Sequence, residues 1–216
     1  MSDRIVPLGT DEPGASRRRH RGRQTRTRIV AAALDAASRV GVSDVTIGTL
    51  AAATGMSKSG LFAHFGSSEG LALALLEAAE VEFLHGVWLP AQRVEPGRRR
   101  LVAVLDAWIG WQRRAGMGGG CPFVGAVAEY DDRPGPVRDH LAASQSRWRD
   151  ALTSLVAEAL ARGELAAGTD PRDVACELLG TYLAWHWTAR LLDDAEAESR
   201  ARRALARIVG VPITAP

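Results

Sequence analysis

Lysine is almost absent from this chain. Of its 27 basic residues 26 are arginine, and the single lysine is Lys58. Cysteine is nearly as scarce, with Cys121 and Cys176 alone among 216 residues. Two thiols make no disulfide framework, so the core must hold the fold, and a reducing, cytoplasmic setting is expected. No run of about 18 apolar residues occurs, which excludes a membrane-spanning helix. The first two dozen residues hold no apolar stretch followed by a cleavage site, so no secretory leader is expected. Strand alternation of useful length, hairpin turn pairs and internal repeats are also missing, which removes sheet-based and repeat architectures.

What is present is helical. Apolar residues make up 46% of the chain, enough for a core. From Thr25, Ile29, Ala33, Ala36, Ala37 and Val40 recur at spacings of three and four, and Gly41 ends that helix. Thr46 caps a short helix, "IGTLAAAT", which Gly55 ends. Ser57 caps another, "KSGLFAHF", which Gly66 closes. Ser67 opens a long fourth helix with Glu69 in its first turn, where a negative charge suits the helix dipole. Ala72, Leu76, Ala79, Phe83 and Val87 share one of its faces, and Pro90 and Pro96 mark its end. Downstream, "RRRLVAVLDAWIGWQRR", "CPFVGAVAEY", a long helix carrying Val137 to Leu155, a helix opened by Asp170 and Pro171, and "AEAESRARRALARIVG" bring the count to nine. The expected fold is all-α. Its expected parts are a disordered basic arm over 1–23, a three-helix unit over 24–66 and a helical domain over 67–216.

Charge is uneven along these parts. Residues 1–66 carry ten Lys/Arg and five Asp/Glu, a balance of +5, whereas residues 67–216 carry 17 and 20, a balance of −3. A basic first third on an acidic remainder points to a polyanionic partner for the first third only. The arginine-rich "RRRHRGR" is either a solvated tail or an arm reaching phosphates or a minor groove.

The two short helices joined by "GMS" have helix-turn-helix spacing. In such a unit the second helix enters the major groove and presents its N-terminal residues to base edges. Lys58 then stands at the first position of the recognition helix, where a flexible point charge suits a phosphate or a guanine edge. The competing reading is a solvated lysine on a helix pair that never meets DNA.

The stretch "RIVAAALDAASRVGVSDVTIGTLAAATGMSKSGLFAHFGSSEGL" resembles the DNA-binding region of the tetracycline-repressor (TetR) family of bacterial transcriptional regulators. An apolar first helix, a G-h-x-x-h-T turn, then I-A-x-x-x-G-h-S, L-Y/F-x-H/Y-F and a serine-led start of the fourth helix are nearly all met, with h an apolar residue. "CPFVGAVAEYDDRPGPVRD" resembles a segment of one branch of that family. The resemblance implies an all-α homodimer joined through its last two helices, binding an operator in double-stranded DNA. It implies repression relieved when a small molecule moves the fourth helix. Carried over by position, it implies DNA contacts from Thr46, Ser57, Lys58, Ser59, Gly60, Phe62 and His64, while Leu61 and Phe65 read as core. Three departures stand out. Phe62 occupies a frequent tyrosine position, Ala63 a position of larger residues, and Ser68 a position where a lysine commonly grips a phosphate. The helix N-terminus at Ser67 and Ser68 must then serve the phosphate, with Arg26, Arg28 and the arginine arm carrying more of the electrostatics.

All six tryptophans lie after Phe65. Most belong in a core, yet a bundle that holds a ligand keeps an aromatic-lined cavity between its helices. Trp108, Trp111, Phe123, Trp148, Tyr182 and Trp185 are the expected lining. The helix after Pro171 is apolar on two faces, Val174–Leu178–Tyr182–Trp185 and Cys176–Leu179–Leu183–Trp187, so one faces a pocket and the other a twin subunit. Tyr182 and Trp185 are assigned inward. Ala197, Ala201, Ala204, Leu205 and Ile208 form a small-residue stripe suited to close helix approach in a dimer seam. Cys121, near a helix N-terminus, allows an alternative reading as a thiol-based redox sensor. A second alternative is a helical small-molecule binder that never reads DNA. His85, His140 and His186 lack ligand spacing, so neither metal nor cofactor is expected. No triad, P-loop or metal motif supports an enzyme.

Overall fold

The computed structural model describes the backbone of residues 13–213 and the side chains of residues 25–27 and 29–213. Helix α1 is Pro13–Val40. It starts well before Thr25, so residues 13–23 of the expected disordered arm are helical. Arginine is a good helix former, Pro13 suits a first turn, and extending an existing helix avoids a new nucleation step. Residues 1–12 of that arm lie outside the described residues. The buried face of α1 is Ile29, Val30, Ala33, Leu34 and Ala37, whereas Ala36 and Val40, expected on it, are exposed. Val42 and Val45, just past the helix, fill the space instead.

Local caps set the next three helices. Helix α2, Ile47–Thr54, opens on a reciprocal capping box. The Thr49 N–H donates to Thr46 Oγ1 at 3.1 Å and the Thr46 N–H to Thr49 Oγ1 at 2.9 Å. Gly55 ends it at φ 68°, left-handed backbone that disfavours any Cβ. Helix α3, Lys58–Phe65, is capped by Ser57, whose Oγ accepts the Gly60 N–H at 3.1 Å. Helix α4, Ser68–Phe83, is capped in the same way by Ser67 from Gly70 at 2.9 Å. It runs on through a π-helical turn, Leu84–Trp88, into Leu89–Ala91 and stops near the expected Pro90.

The remaining helices are α5 (Arg98–Trp108), α6 (Trp111–Arg114), α7 (Pro122–Tyr130), α8 (Pro136–Ala161), α9 (Pro171–Leu191) and α10 (Ala197–Val209). Among the described residues there are ten such helices and no strand. The tenth arises because "RRRLVAVLDAWIGWQRR" is broken. Ile109 is extended and Gly110 left-handed at φ 72°, so Trp111 starts a separate turn.

Helix α4 belongs to both ends of the molecule. Its first half packs on α1 and α3, and it continues against α7 and α8. Helix α9 lies between α8 and α10. The small-residue stripe of α10 turns largely inward. Ala197, Ala201 and Leu205 are buried, and between them Arg202 is buried against Asp106 of α5 and Glu198. Ala204 and Ile208 are half-buried, beside Gly180, Thr181 and Ala184 of α9 in a shallow groove.

Candidate nucleic-acid interface and ligand cavity

Helix α3 sorts its residues by depth. Leu61 is wholly buried and Phe65 nearly so, pinning the helix to the core, as expected for these two. Lys58, Ser59 and Phe62 are exposed and Gly60 is half-buried. Phe62 leaves 58% of its surface open. His64 is half-buried, with its ring centroid 6.2 Å from that of Phe65. The Arg26 guanidinium stands 5.4 Å from the centre of the Phe65 ring, a cation–π contact that ties α1 to the end of α3. The Arg28 side chain lies outside the described residues.

The hydroxyls of Thr46, Ser57 and Ser67 already accept backbone N–H groups, so their first role is to fix helix starts. Ser57 also shares a 3.2 Å hydrogen bond with Ser59. Ser68 is exposed beside the Ser67 cap. The first-turn N–H groups that these caps leave free favour anions at each helix start.

The second site is a cavity of about 800 Å³ between α4, α5, α7, α8 and α9. Trp108, Phe123, Trp148 and Tyr182 line it, whereas Trp111 and Trp185 do not. Trp111 is buried behind the wall. Its indole N–H donates to the Tyr182 hydroxyl at 3.2 Å and its ring meets Phe83 edge-on at 5.2 Å. Trp185 is buried against Tyr182 with centroids 5.2 Å apart. The two misplaced tryptophans therefore support lining residues from outside. Sequence reasoning missed Phe83 and Trp88, which do line the cavity. Phe83 belongs to the apolar face already read on α4, and that face was the available signal. Trp148 is the centre of the wall, with edge contacts to Phe83 at 4.8 Å, Trp108 at 5.0 Å and Trp88 at 6.3 Å. Trp108 and Tyr182 stack at 4.1 Å. Each such pair adds roughly 0.5–1.5 kcal/mol beyond area burial.

Polar groups reach the cavity too. Glu80 pairs with Arg147 at 3.3 Å, and Glu77, Ser144 and Gln145 join the lining. Cys121 lines it and is buried, and burial pushes its thiol above the ordinary value. That opposes thiolate formation and so weighs against the redox-sensor reading. Burial, with Cys121 adjacent, likewise holds the Tyr182 phenol well above its ordinary value. Its proton therefore stays on. The imidazole of His186 is shifted down by burial and by Arg190, and its Nε2 accepts the Cys121 N–H at 3.0 Å.

Of the two apolar faces of α9, Val174, Leu178, Tyr182 and Trp185 are buried, while Cys176, Leu183 and Trp187 are exposed. Leu179 and Leu183 also edge the cavity. Among the described residues no group of three or more His, Cys, Asp or Glu side chains could hold a metal ion, and no helix is long and apolar enough to cross a membrane.

Comparison with known proteins fits this two-part architecture. Residues 29–75 match the family described as "Bacterial regulatory proteins, tetR family". Residues 97–205 match "Tetracyclin repressor-like, C-terminal domain". A comparison with curated proteins finds no match. Among solved structures, a TetR transcriptional regulator from Chloroflexus aurantiacus J-10-FL is 29% identical, with a TM-score of 0.76 over 90% of this chain and 100% of that one. AibR, solved with isovaleryl coenzyme A and operator DNA, is 21% identical, with a TM-score of 0.68 over 85% and 97%. A regulator from Saccharomonospora viridis, solved with choline, is 18% identical, with a TM-score of 0.69 over 87% and 96%. With one match over the helix-turn-helix unit and another over half of the chain beyond it, the protein belongs to the TetR family of transcriptional regulators.

Proposed function

We propose that this regulator is a homodimeric repressor that leaves a near-palindromic operator when a small apolar or aromatic effector fills the cavity. One observation carries the reading. A helix-turn-helix whose recognition helix exposes Lys58, Ser59 and Phe62 is continuous, through α4, with the wall of an 800 Å³ aromatic cavity. Arg26, Arg28, Thr46, Ser57, Lys58, Ser59, Gly60, Phe62, His64, Ser67 and Ser68 are the proposed DNA-facing set. Trp108, Phe123, Trp148 and Tyr182 are the proposed effector contacts. The proposed division is an arm over 1–23, a DNA-binding domain over 24–66 and a ligand-binding and dimerisation domain over 67–216. The exposed Leu183 and Trp187 of α9, and the groove in which Gly180, Thr181 and Ala184 meet Ala204 and Ile208 of α10, support a seam between two copies. A cytoplasmic location is part of the proposal, since a regulator acting on bacterial DNA works there.

Two solved relatives lend the effector reading support by analogy, since one holds an acyl coenzyme A with operator DNA and the other choline. The chemical distance between those ligands leaves the present effector to be found by screening. The test is fluorescence anisotropy of the purified protein on the duplex upstream of its own gene and on duplexes selected from a random pool, across a salt series. Selective binding of two subunits per site that weakens steeply with salt is expected, because phosphate contacts release counterions. Weak binding without preference for any duplex would overturn the regulator in favour of a bundle that binds small molecules alone.

A further inference from the structure

The geometry points to Glu129 as a positioning residue of the DNA-reading unit, and to α7 as a second link, besides α4, between that unit and the cavity. The inference rests on the regulator reading above and names how its site is coupled.

Helix α7 has two working sides. Phe123, Val124 and Val127 face the cavity. At 100° per residue, Gly125 and Glu129 lie on the opposite side of the cylinder. There the Glu129 carboxylate reaches across to the α1–α2 loop. Oε1 accepts the Val42 N–H at 3.1 Å and Oε2 accepts the Ser43 N–H at 2.7 Å. Successive N–H groups after a left-handed residue form a concave anion seat, and Gly41 supplies that residue at φ 99°. Its positive φ favours glycine, and a Cβ there would displace the Glu129 carboxylate from this seat.

The chain entering α7 is fastened to the same stretch of α1. The Gly118 N–H donates to Asp35 Oδ1 at 2.7 Å, the Gly119 N–H to Ser38 Oγ at 3.0 Å and the Gly120 N–H to the Ser38 carbonyl at 2.7 Å. A Cβ on Gly119 would run into the Ser38 backbone, so this approach is open to glycine alone. The "GMGGG" stretch, a flexible break by composition, is thus a fitted contact. One residue on, the Cys121 N–H is tied to His186 of α9. Five hydrogen bonds therefore clamp residues 35–43 of α1 and its loop to an element whose other side is cavity wall. An occupant that presses on Phe123, Val124 or Val127 shifts α7 and, through Glu129, the loop that sets the angle of α2 and α3.

The test uses the full-length protein and needs no effector. Val124→Phe enlarges the wall from α7, and Ala151→Trp fills the cavity from α8. Each is made alone and with Glu129→Ala, and circular dichroism confirms folding. Amide exchange at Val42 and Ser43 is expected to speed up at least tenfold in Glu129→Ala and by less in Glu129→Gln, which keeps one acceptor oxygen. With Glu129 intact, either cavity variant is expected to change exchange at Val42 and Ser43 and to change affinity for a selected duplex by several-fold, within the roughly 5–150-fold usual for coupled sites. In the Glu129→Ala background the same cavity variants are expected to change duplex affinity by clearly less, the remainder passing through α4 and the Gly118–Gly120 contacts. Cavity variants that act equally with and without Glu129, or that never alter Val42 and Ser43, overturn the link. The exchange measurement involves no DNA, so a link that survives it while no duplex is selected marks failure of the regulator reading alone.

Discussion

The DNA-reading unit and the cavity-bearing bundle are built on opposite terms. In α1–α3 the working groups stand outside, on helices whose starts and stops are fixed by residues within three or four positions of the end. In the bundle the working feature is a space, and its shape depends on rings contributed by five helices far apart in the chain. Thr46, Ser57 and Ser67 each cap the helix beside them. Trp148, by contrast, is placed by Phe83, Trp88 and Trp108. The first kind of site takes its helix limits from adjacent residues, and draws on a distant one only where Glu129 holds the α1–α2 loop. The second takes its shape from rings that meet only once the chain has folded.

The largest expected effect tests how far the small unit depends on its one buried anchor. Leu61 is fully buried at the centre of α3. Leu61→Ala should cost about 2–5 kcal/mol, the usual penalty for a core leucine left with a cavity, read by chemical denaturation. A loss below 1 kcal/mol would mean that α3 is held by something other than its core. Next come the exposed residues of the same helix. Lys58→Ala and Phe62→Ala should each weaken duplex binding by about 1–3 kcal/mol while leaving the melting temperature in place, since neither side chain is buried. Unchanged affinity in both would remove α3 from the proposed interface. Smaller still, Ser57→Ala removes the cap on Gly60 and should cost about 1 kcal/mol of stability, with wild-type stability as the contrary result.

The smallest effect belongs to the bundle. The imidazole of His186 titrates below its ordinary 6.5 in the folded chain. Beneath pH 6.5 the unfolded chain therefore binds more protons, and stability rises with pH through that window. The contribution is present above about pH 6.5 and is lost as pH falls towards the folded value. His186→Gln keeps an acceptor for the Cys121 N–H without titrating, so its melting temperature should fall less steeply below pH 6.5. Parallel slopes for the two proteins would show that His186 does not matter there.

The same contrast explains what the sequence could reveal. Helix starts at Thr46, Ser57, Ser67 and Asp170, and the stops at Gly55 and Gly66, were readable because cause and effect are neighbours. The inward assignment of Tyr182 and Trp185 was half legible. Helical spacing put both on one buried face of α9, yet only Tyr182 reaches the cavity. Spacing gives the side of a helix but not how far a neighbouring ring shields it. Trp111 escaped for a different reason, a break at Gly110 that a continuous periodic pattern concealed. The early start of α1 was hidden by composition, since an arginine run reads equally as a solvated tail or an exposed helix. Glu129 carried no local signal at all, because its partners Val42 and Ser43 lie more than 80 positions away.

The distribution of tryptophan has an optical consequence. All six indoles sit beyond residue 66, and Trp88, Trp108 and Trp148 stand on the cavity wall. Indole emission is therefore blind to α1–α3 and sensitive to whatever enters the bundle, whereas far-ultraviolet dichroism sees both. Recording the two signals on one sample separates melting of the DNA-reading helices from occupation of the cavity, with no dye and no label.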